Sequence, residues 1–431
     1  MADKAVNKGT KVLVISHNVF SKTTAMGKSM ADMLGCVPAE DMAQLYFHAE
    51  VPTTAVCKRY LRIRDGDVLR SVLTRRCKTT VFTEADIESE RKTPRIDTGV
   101  ASKAYQFGRR RTPMIYLLRN FVWTLGRWES RELDRWLDDF APDIIFFASG
   151  DYTFAYKIAY RIAKKRNIPI LLWCCDDYYI SRRFPRSPAG ALYRRRLTKW
   201  TKKVATRTES VIVISDQMSR DYAKLFDSPI RVLRISAKEN SLARPMAERS
   251  GIFYVGGLGV NRIEPLVALG RQLKEANIPG FERIQVYSND KNPNTLAQLT
   301  DENGICFHGG VSAEEVPGIL GGAKYLLHVE AFDRSSIERT RYSLSTKIGE
   351  SLASGACLIA YGPRDISSMA YLEENHAAIL LDDPTQIVSA LTETDDAAYE
   401  RYVQNALELV RRNHDKQKND QAIRELLHIK N

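Results

Sequence analysis

The stretch "RYSLSTKIGESLASGACLIAYGP" sets a cation and a carboxylate, Lys347 and Glu350, three residues apart behind Ser345 and Thr346. Residues spaced by three share one face of a helix. Ser345 is a good N-cap, and Gly355 stands where a left-handed glycine ends a helix. A helix start presents free N–H groups and the positive end of its dipole, which favours a pyrophosphate. Lys347 adds a point charge there, and Glu350 can accept from two adjacent hydroxyls, as on a ribose. The same pair would also serve as an ordinary surface Lys–Glu contact. Its place between two apolar runs favours binding.

A second stretch, "YVGGLGVNRIEPL", follows an apolar run and precedes a helical pattern. Gly256, Gly257 and Gly259 allow close backbone approach to a phosphate, and Arg262 enters the first helical turn, where it can pair with phosphate oxygens. Their spacing departs from G-x-G-x-x-G, so a dinucleotide fingerprint is not indicated. Ser288, closing "RIQVYS", is a further loop candidate. In the first half, "WCCDDYY" sets Asp176 and Asp177 at a strand end as a candidate acid or base. Asp151 holds an equivalent place in "ASGDYT" and is expected to cap a helix. "SKTTAMGKS" imitates a phosphate loop, but Lys22 occupies the position of its first glycine. Gly27 then serves close backbone approach, and Lys28 a helix surface. "RDGD" at 64–67 imitates a metal-binding D-x-D and reads as a turn.

These residues need rigid elements behind them. Apolar runs of strand length recur: "KVLVIS", "DIIFFAS", "IPILLWCC", "SVIVIS" and "IRVLRI", then "GIFYVG", "RIQVYS", "GICFHG", "KYLLHV", "ACLIAY" and "AAILL". Helical patterns lie between most of them, the signature of parallel sheets. The expected fold is α/β, two doubly wound Rossmann-like domains facing across a cleft: residues 1–240 and 250–395, with 396–431 as a C-terminal helix or helices. Residues 236–250 read as a linker and the polar stretch 78–112 as a mobile loop or insertion.

Charge is uneven along the 431 residues. Residues 1–240 hold 44 Lys and Arg against 26 Asp and Glu, whereas the remainder holds 20 against 26. The excess gathers in 178–208, with ten basic residues and no acidic one, and in 101–135, where eight are mixed with aromatics. Leu192, Leu197, Trp200 and Val204 lay an apolar stripe through the first; Tyr116, Leu117, Phe121 and Trp123 thicken the second. Such segments suit an anionic membrane surface better than nucleic acid, for which no motif is present. Seven scattered cysteines, none in a C-x-x-C pair, fit a reducing compartment. No apolar stretch approaches the ~20 residues of a membrane span, and no secretory h-region opens the chain. A cytoplasmic protein, peripheral at the inner membrane face, is expected.

"STKIGESLASGACLIAYG" and "YVGGLGVNR" resemble the donor-binding signatures of GT-B-fold glycosyltransferases, especially family 4, and "SHNVFSKTTAMGKSM" and "VISDQMSRDYAKLF" resemble enzymes of bacterial surface-polysaccharide assembly. The resemblance implies GT-B architecture and sugar transfer from a nucleotide-diphosphate sugar to a glycan or lipid-linked acceptor, with no metal and no cofactor beyond that co-substrate. Glu350 would hold the ribose as the second of the family's paired glutamates, and Arg262 would replace its loop lysine. The family's loop arginine falls on Gly257 and its first glutamate on Tyr342, so Glu330 or Asp333 is offered instead. A nucleotide-sugar epimerase on the same fold, or a non-enzymatic anion- or nucleic-acid-binding protein, are the alternatives.

Overall fold

The computed structural model describes residues 9–22, 24–82, 86–87, 112–180 and 187–429. Most of the 78–112 stretch lies outside them, as do 181–186 of the basic segment. The chain forms two compact units. One contains the described residues up to Val213, Ser219–Val232 and those from Gln417 on; the other contains Ile214–Met218 and Leu233–Lys416.

The first unit is built on β1 (Val12–Ser16), β2 (Met42–Tyr46), β3 (Arg59–Arg62), β4 (Thr80–Phe82), β5 (Ile144–Ala148), β6 (Ile170–Cys174), β7 (Thr208–Val213) and β8 (Ile230–Val232). Their order is β4-β3-β2-β1-β5-β6-β7-β8. Every pairing is parallel except β3 with β4. β1, β5 and β6 are buried along their whole length, which is why they read as unbroken apolar runs.

The sequence pattern does not announce β2, β3 and β4. Gln44 interrupts β2, yet it is fully buried: its amide oxygen accepts from the Phe20 N–H and its Nε2 donates to Ser16 Oγ and the Asn18 carbonyl. It fastens the turn after β1. β3 carries Arg59 and Arg62, and the Arg62 guanidinium caps the Ala49 carbonyl. Thr80–Phe82, expected to be loop, forms the antiparallel edge strand.

The second unit uses β9 (Ser250–Val255), β10 (Ile284–Tyr287), β11 (Ile305–Gly309), β12 (Ala323–Val329), β13 (Cys357–Tyr361) and β14 (Ile379–Leu381), all parallel. Their order is β11-β10-β9-β12-β13-β14. The winding reverses between β9 and β12, and the carboxyl ends of strands at such a switch point form a ligand crevice. Apolar cores cover both faces of this sheet. Of the C-terminal helices, Asp396–Asn413 packs in this unit, and the chain then passes to the other.

Candidate functional site

The switch point of the second sheet gathers four charged or titratable side chains from one strand end and two helix starts. Gly256 directly follows β9, and its N–H donates to the Tyr287 carbonyl at 2.9 Å. A Cβ built there would lie 2.2 Å from Lys347 Nζ. The lysine ammonium therefore rests on the glycine, and any side chain there would have to push it aside. Gly257 has nothing within 4 Å of its Cβ position and faces open space.

Lys347 leaves the first turn of the short helix Thr346–Leu352, whose N-cap Ser345 accepts from the Lys347 N–H at 3.4 Å. Its side chain is half-buried, and no described carboxylate pairs with Nζ. Burial and the nearby Arg262 guanidinium push its pKa down to about 8, with Glu350 opposing them. An unpaired, partly desolvated cation is a group waiting for an anion. Glu350 is exposed one turn on, and Thr346 is exposed beside it.

Arg262 is the N-cap residue of the helix Ile263–Ala276. Val260 and Asn261 before it take left-handed φ values of 61° and 55°, which turn the chain sharply into that helix. The guanidinium is oriented by two bonds. Nη2 donates to Glu330 Oε1 at 2.8 Å and Nε to the Val329 carbonyl at 3.2 Å. Nη1 makes no hydrogen bond among the described residues. Burial opposes the Arg262 charge, but Glu330 more than offsets it, and the pKa is raised.

Glu330 directly follows β12 and is 2% exposed. Its second oxygen, Oε2, is buried with no hydrogen-bond partner. So is Nε2 of His328, the last but one residue of β12, which stands 3.5 Å from Glu330 Oε1. Burial, against Glu330 and helped by Arg262 and Lys347, lowers the His328 pKa to about 4, so the imidazole is neutral near pH 7. Buried polar atoms are almost always satisfied. Two such orphans in one crevice would both be satisfied by a polar ligand. His328 carries no signal in "KYLLHV", which reads as a plain buried strand.

The structure thus brings together Gly256, Arg262, Glu330 and Lys347, and adds His328. Asp333, the alternative to Glu330, is instead the N-cap of Arg334–Thr340, accepting from the Ser336 N–H at 3.0 Å. Ser288 is buried after β10 and closes its own turn, accepting from the Asp290 N–H at 3.2 Å.

The first-unit residues mostly have structural partners. Asp177 Oδ1 accepts from the N–H groups of Tyr179 and Ile180, each at 3.0 Å, and from Tyr222 Oη at 2.7 Å. The carboxylate holds the loop after β6. Asp176 is half-buried and accepts from the Asp177 N–H at 2.9 Å. Gly27 lies in the first turn of Ala25–Leu34, where a Cβ would meet Ser21 Cβ at 2.6 Å and the Val19 carbonyl at 2.7 Å. The close approach it permits is to its own loop. Asp151 is not the expected helix cap: Tyr152 takes that position in Thr153–Arg166, and Asp151 accepts from Tyr116 Oη at 3.3 Å. "RDGD" is not a turn but the start of the helix Asp65–Thr74, with Asp67 in a capping box and Asp65 accepting from Trp123 Nε1 at 2.6 Å. No group of three or more potential metal ligands occurs among the described residues.

A family model described as Glycosyltransferase Family 4 matches residues 68–235, and one described as Glycosyl transferase-like matches residues 267–426. No curated protein matches the chain by sequence. Among solved structures it is similar to HepE of Anabaena in complex with UDP, at 11% identity over 97% of this chain and 100% of that one, TM-score 0.64. It is also similar to a glycosyltransferase from Rickettsia africae, at 11% identity over 97% and 99%, TM-score 0.61. A third is the E. coli structure described as trehalose-6-phosphate bound with UDP-2-fluoro glucose, at 10% identity over 98% and 100%, TM-score 0.59. At such identities the likeness is one of fold, and that fold is GT-B.

Proposed function

We propose that this chain, a GT-B glycosyltransferase of the family-4-like kind, moves a sugar from a nucleotide-diphosphate donor to a glycan or lipid-linked acceptor in polysaccharide assembly. It works as a peripheral protein at an anionic membrane. The single observation that carries the donor assignment is the Lys347 ammonium. It lies against Gly256 at the switch point, unpaired and with Arg262 close enough to depress its pKa. Two cations held together against their own repulsion suit the two phosphates of a leaving nucleoside diphosphate.

In this reading Lys347 and the free Nη1 of Arg262 take the diphosphate charge as the glycosidic bond to the donor breaks. Glu330 aims Arg262 through its Oε1. Glu330 Oε2 accepts from a sugar hydroxyl, and neutral His328 bonds a second. Glu350 takes the ribose hydroxyls. Ser345, Thr346 and the Gly256–Gly257 turn border the diphosphate, with Ser288 at the far edge of the crevice. Asp176 rather than Asp177 is the acceptor-side base, since three donors already occupy Asp177 Oδ1. The two basic side chains do the work a divalent metal would do, so transfer is proposed to be metal-independent. The structures of HepE with UDP and with UDP-glucose support a nucleotide-sugar donor as the first to try.

The test is a thermal-shift screen of nucleotide sugars and nucleoside diphosphates, followed by turnover with and without acceptor. Stabilisation by a nucleoside diphosphate and sugar transfer only with acceptor are expected. Conversion of the free nucleotide sugar without acceptor would contradict transferase action and indicate an epimerase.

A further inference from the structure

The helix Pro113–Leu125 is apolar on two faces. Pro113, Tyr116, Asn120 and Trp123 form its buried face. On the other side Met114, Leu118, Phe121 and Leu125 are each 50–65% exposed. Their spacing makes one continuous stripe along the helix. The helix Asp65–Thr74 packs beside it and exposes Leu69, Val72 and Leu73, the last 87% exposed. The helix Pro188–Ala205 also packs against it and exposes Leu192. Eight of the thirteen exposed large apolar side chains among the described residues therefore lie on three neighbouring helices. Monomers rarely leave so concentrated an apolar surface to water.

The rim is basic. Neither Pro113–Leu125 nor Pro188–Ala205 contains an acidic residue. Arg195, Arg196, Lys199 and Lys202 are exposed on the latter, and Arg70, Arg75 and Arg76 on and just after Asp65–Thr74. The two carboxylates of Asp65–Thr74 are already paired, Asp65 with Arg119 and Trp123 of Pro113–Leu125 and Asp67 with Arg64. An aliphatic centre with a cationic rim is complementary to anionic lipid: acyl chains take the stripe and head groups the rim. A second copy of the chain would bring two basic rims together. Nucleic acid would use the charge but not an aliphatic stripe.

We propose that this three-helix face docks the enzyme on an anionic membrane, with Leu118 and Phe121 at its centre. This rests on the peripheral location proposed above and names the surface responsible. It is tested by flotation of the full chain with phosphatidylcholine vesicles, with and without about a third phosphatidylglycerol. Wild type is expected to float with anionic vesicles at low salt and to be released at high salt. Leu118→Ser/Phe121→Ser and Arg195→Glu/Arg196→Glu are each expected to weaken binding at least tenfold, with melting temperatures near that of wild type. In addition, the emission of Phe121→Trp is expected to be quenched by bromine-labelled acyl chains beyond the wild-type level. No preference of wild type for anionic vesicles overturns both surface and location. Retained binding by either double variant, or absence of the added quenching, overturns the surface and leaves the location standing. A dimer that the stripe variant dissolves in solution makes the face a chain–chain interface and overturns the proposal.

Discussion

At the residue scale the decisive group is Lys347. Its cation is disfavoured by burial and by Arg262, so it costs stability until an anion arrives. Lys347→Met is therefore expected to raise the melting temperature of the donor-free protein while weakening donor binding at least tenfold, about 1.4 kcal/mol. The pH dependence follows from its depressed pKa of about 8 against the ordinary 10.5. Between those values the unfolded chain binds the proton and the folded chain does not. Folding stability therefore gains with rising pH across that window. The melting advantage of Lys347→Met should be full below pH 8 and shrink above it, while wild-type donor affinity falls above pH 8. Parallel melts and titrations at pH 7 and 9.5 check both signs. Glu330 makes the converse case: Glu330→Ala removes the partner of a partly buried guanidinium and is expected to destabilise by about 1–3 kcal/mol, read by denaturant unfolding. Lys347 is legible in the sequence because residue type and helix position coincide. His328 is not, since an orphaned imidazole is visible only once its neighbours are placed.

At the element scale the site is the meeting of two strand ends with two helix starts. Gly256 and Gly257 are equivalent as letters and distinct in space. Gly256→Ala must displace the Lys347 side chain, and donor affinity is expected to fall at least tenfold with little change in melting temperature. Gly257→Ala meets nothing and should bind donor within about twofold of wild type, the difference being below ~0.4 kcal/mol. Calorimetry on the pair separates the two positions. Gly27→Ala should instead lose about 1–3 kcal/mol of folding stability, because the added methyl presses on the Val19 carbonyl and Ser21. Strands buried on both faces were legible as apolar runs. β2 and β3 were not, because Gln44 and Arg62 sit inside them as clamps on loop carbonyls and amides. Asp65 and Asp67, expected in a turn, show the same limit: short acidic spacing fits a helix N-terminus as well as a turn.

At the scale of the whole chain, the α/β class, the doubly wound sheets and the division into two units follow from alternating apolar and amphipathic runs. The strand order does not, since periodicity says nothing about which strands are neighbours. It is that order, β9 beside β12, that sets Gly256 next to Glu330 and gives the crevice its charges. The basic segments were legible as amphipathic, but their inner and outer faces were not: Trp123 and Leu197 turn inward, whereas Leu118 and Phe121 face water. In the proposed function the second unit holds a nucleotide-diphosphate sugar through Lys347. Its most direct test is calorimetric titration of wild type and Lys347→Ala with the nucleotide sugars that stabilise the protein. Saturable binding to wild type and at least tenfold weaker binding to the variant are expected; equal affinity in the two would overturn the donor assignment.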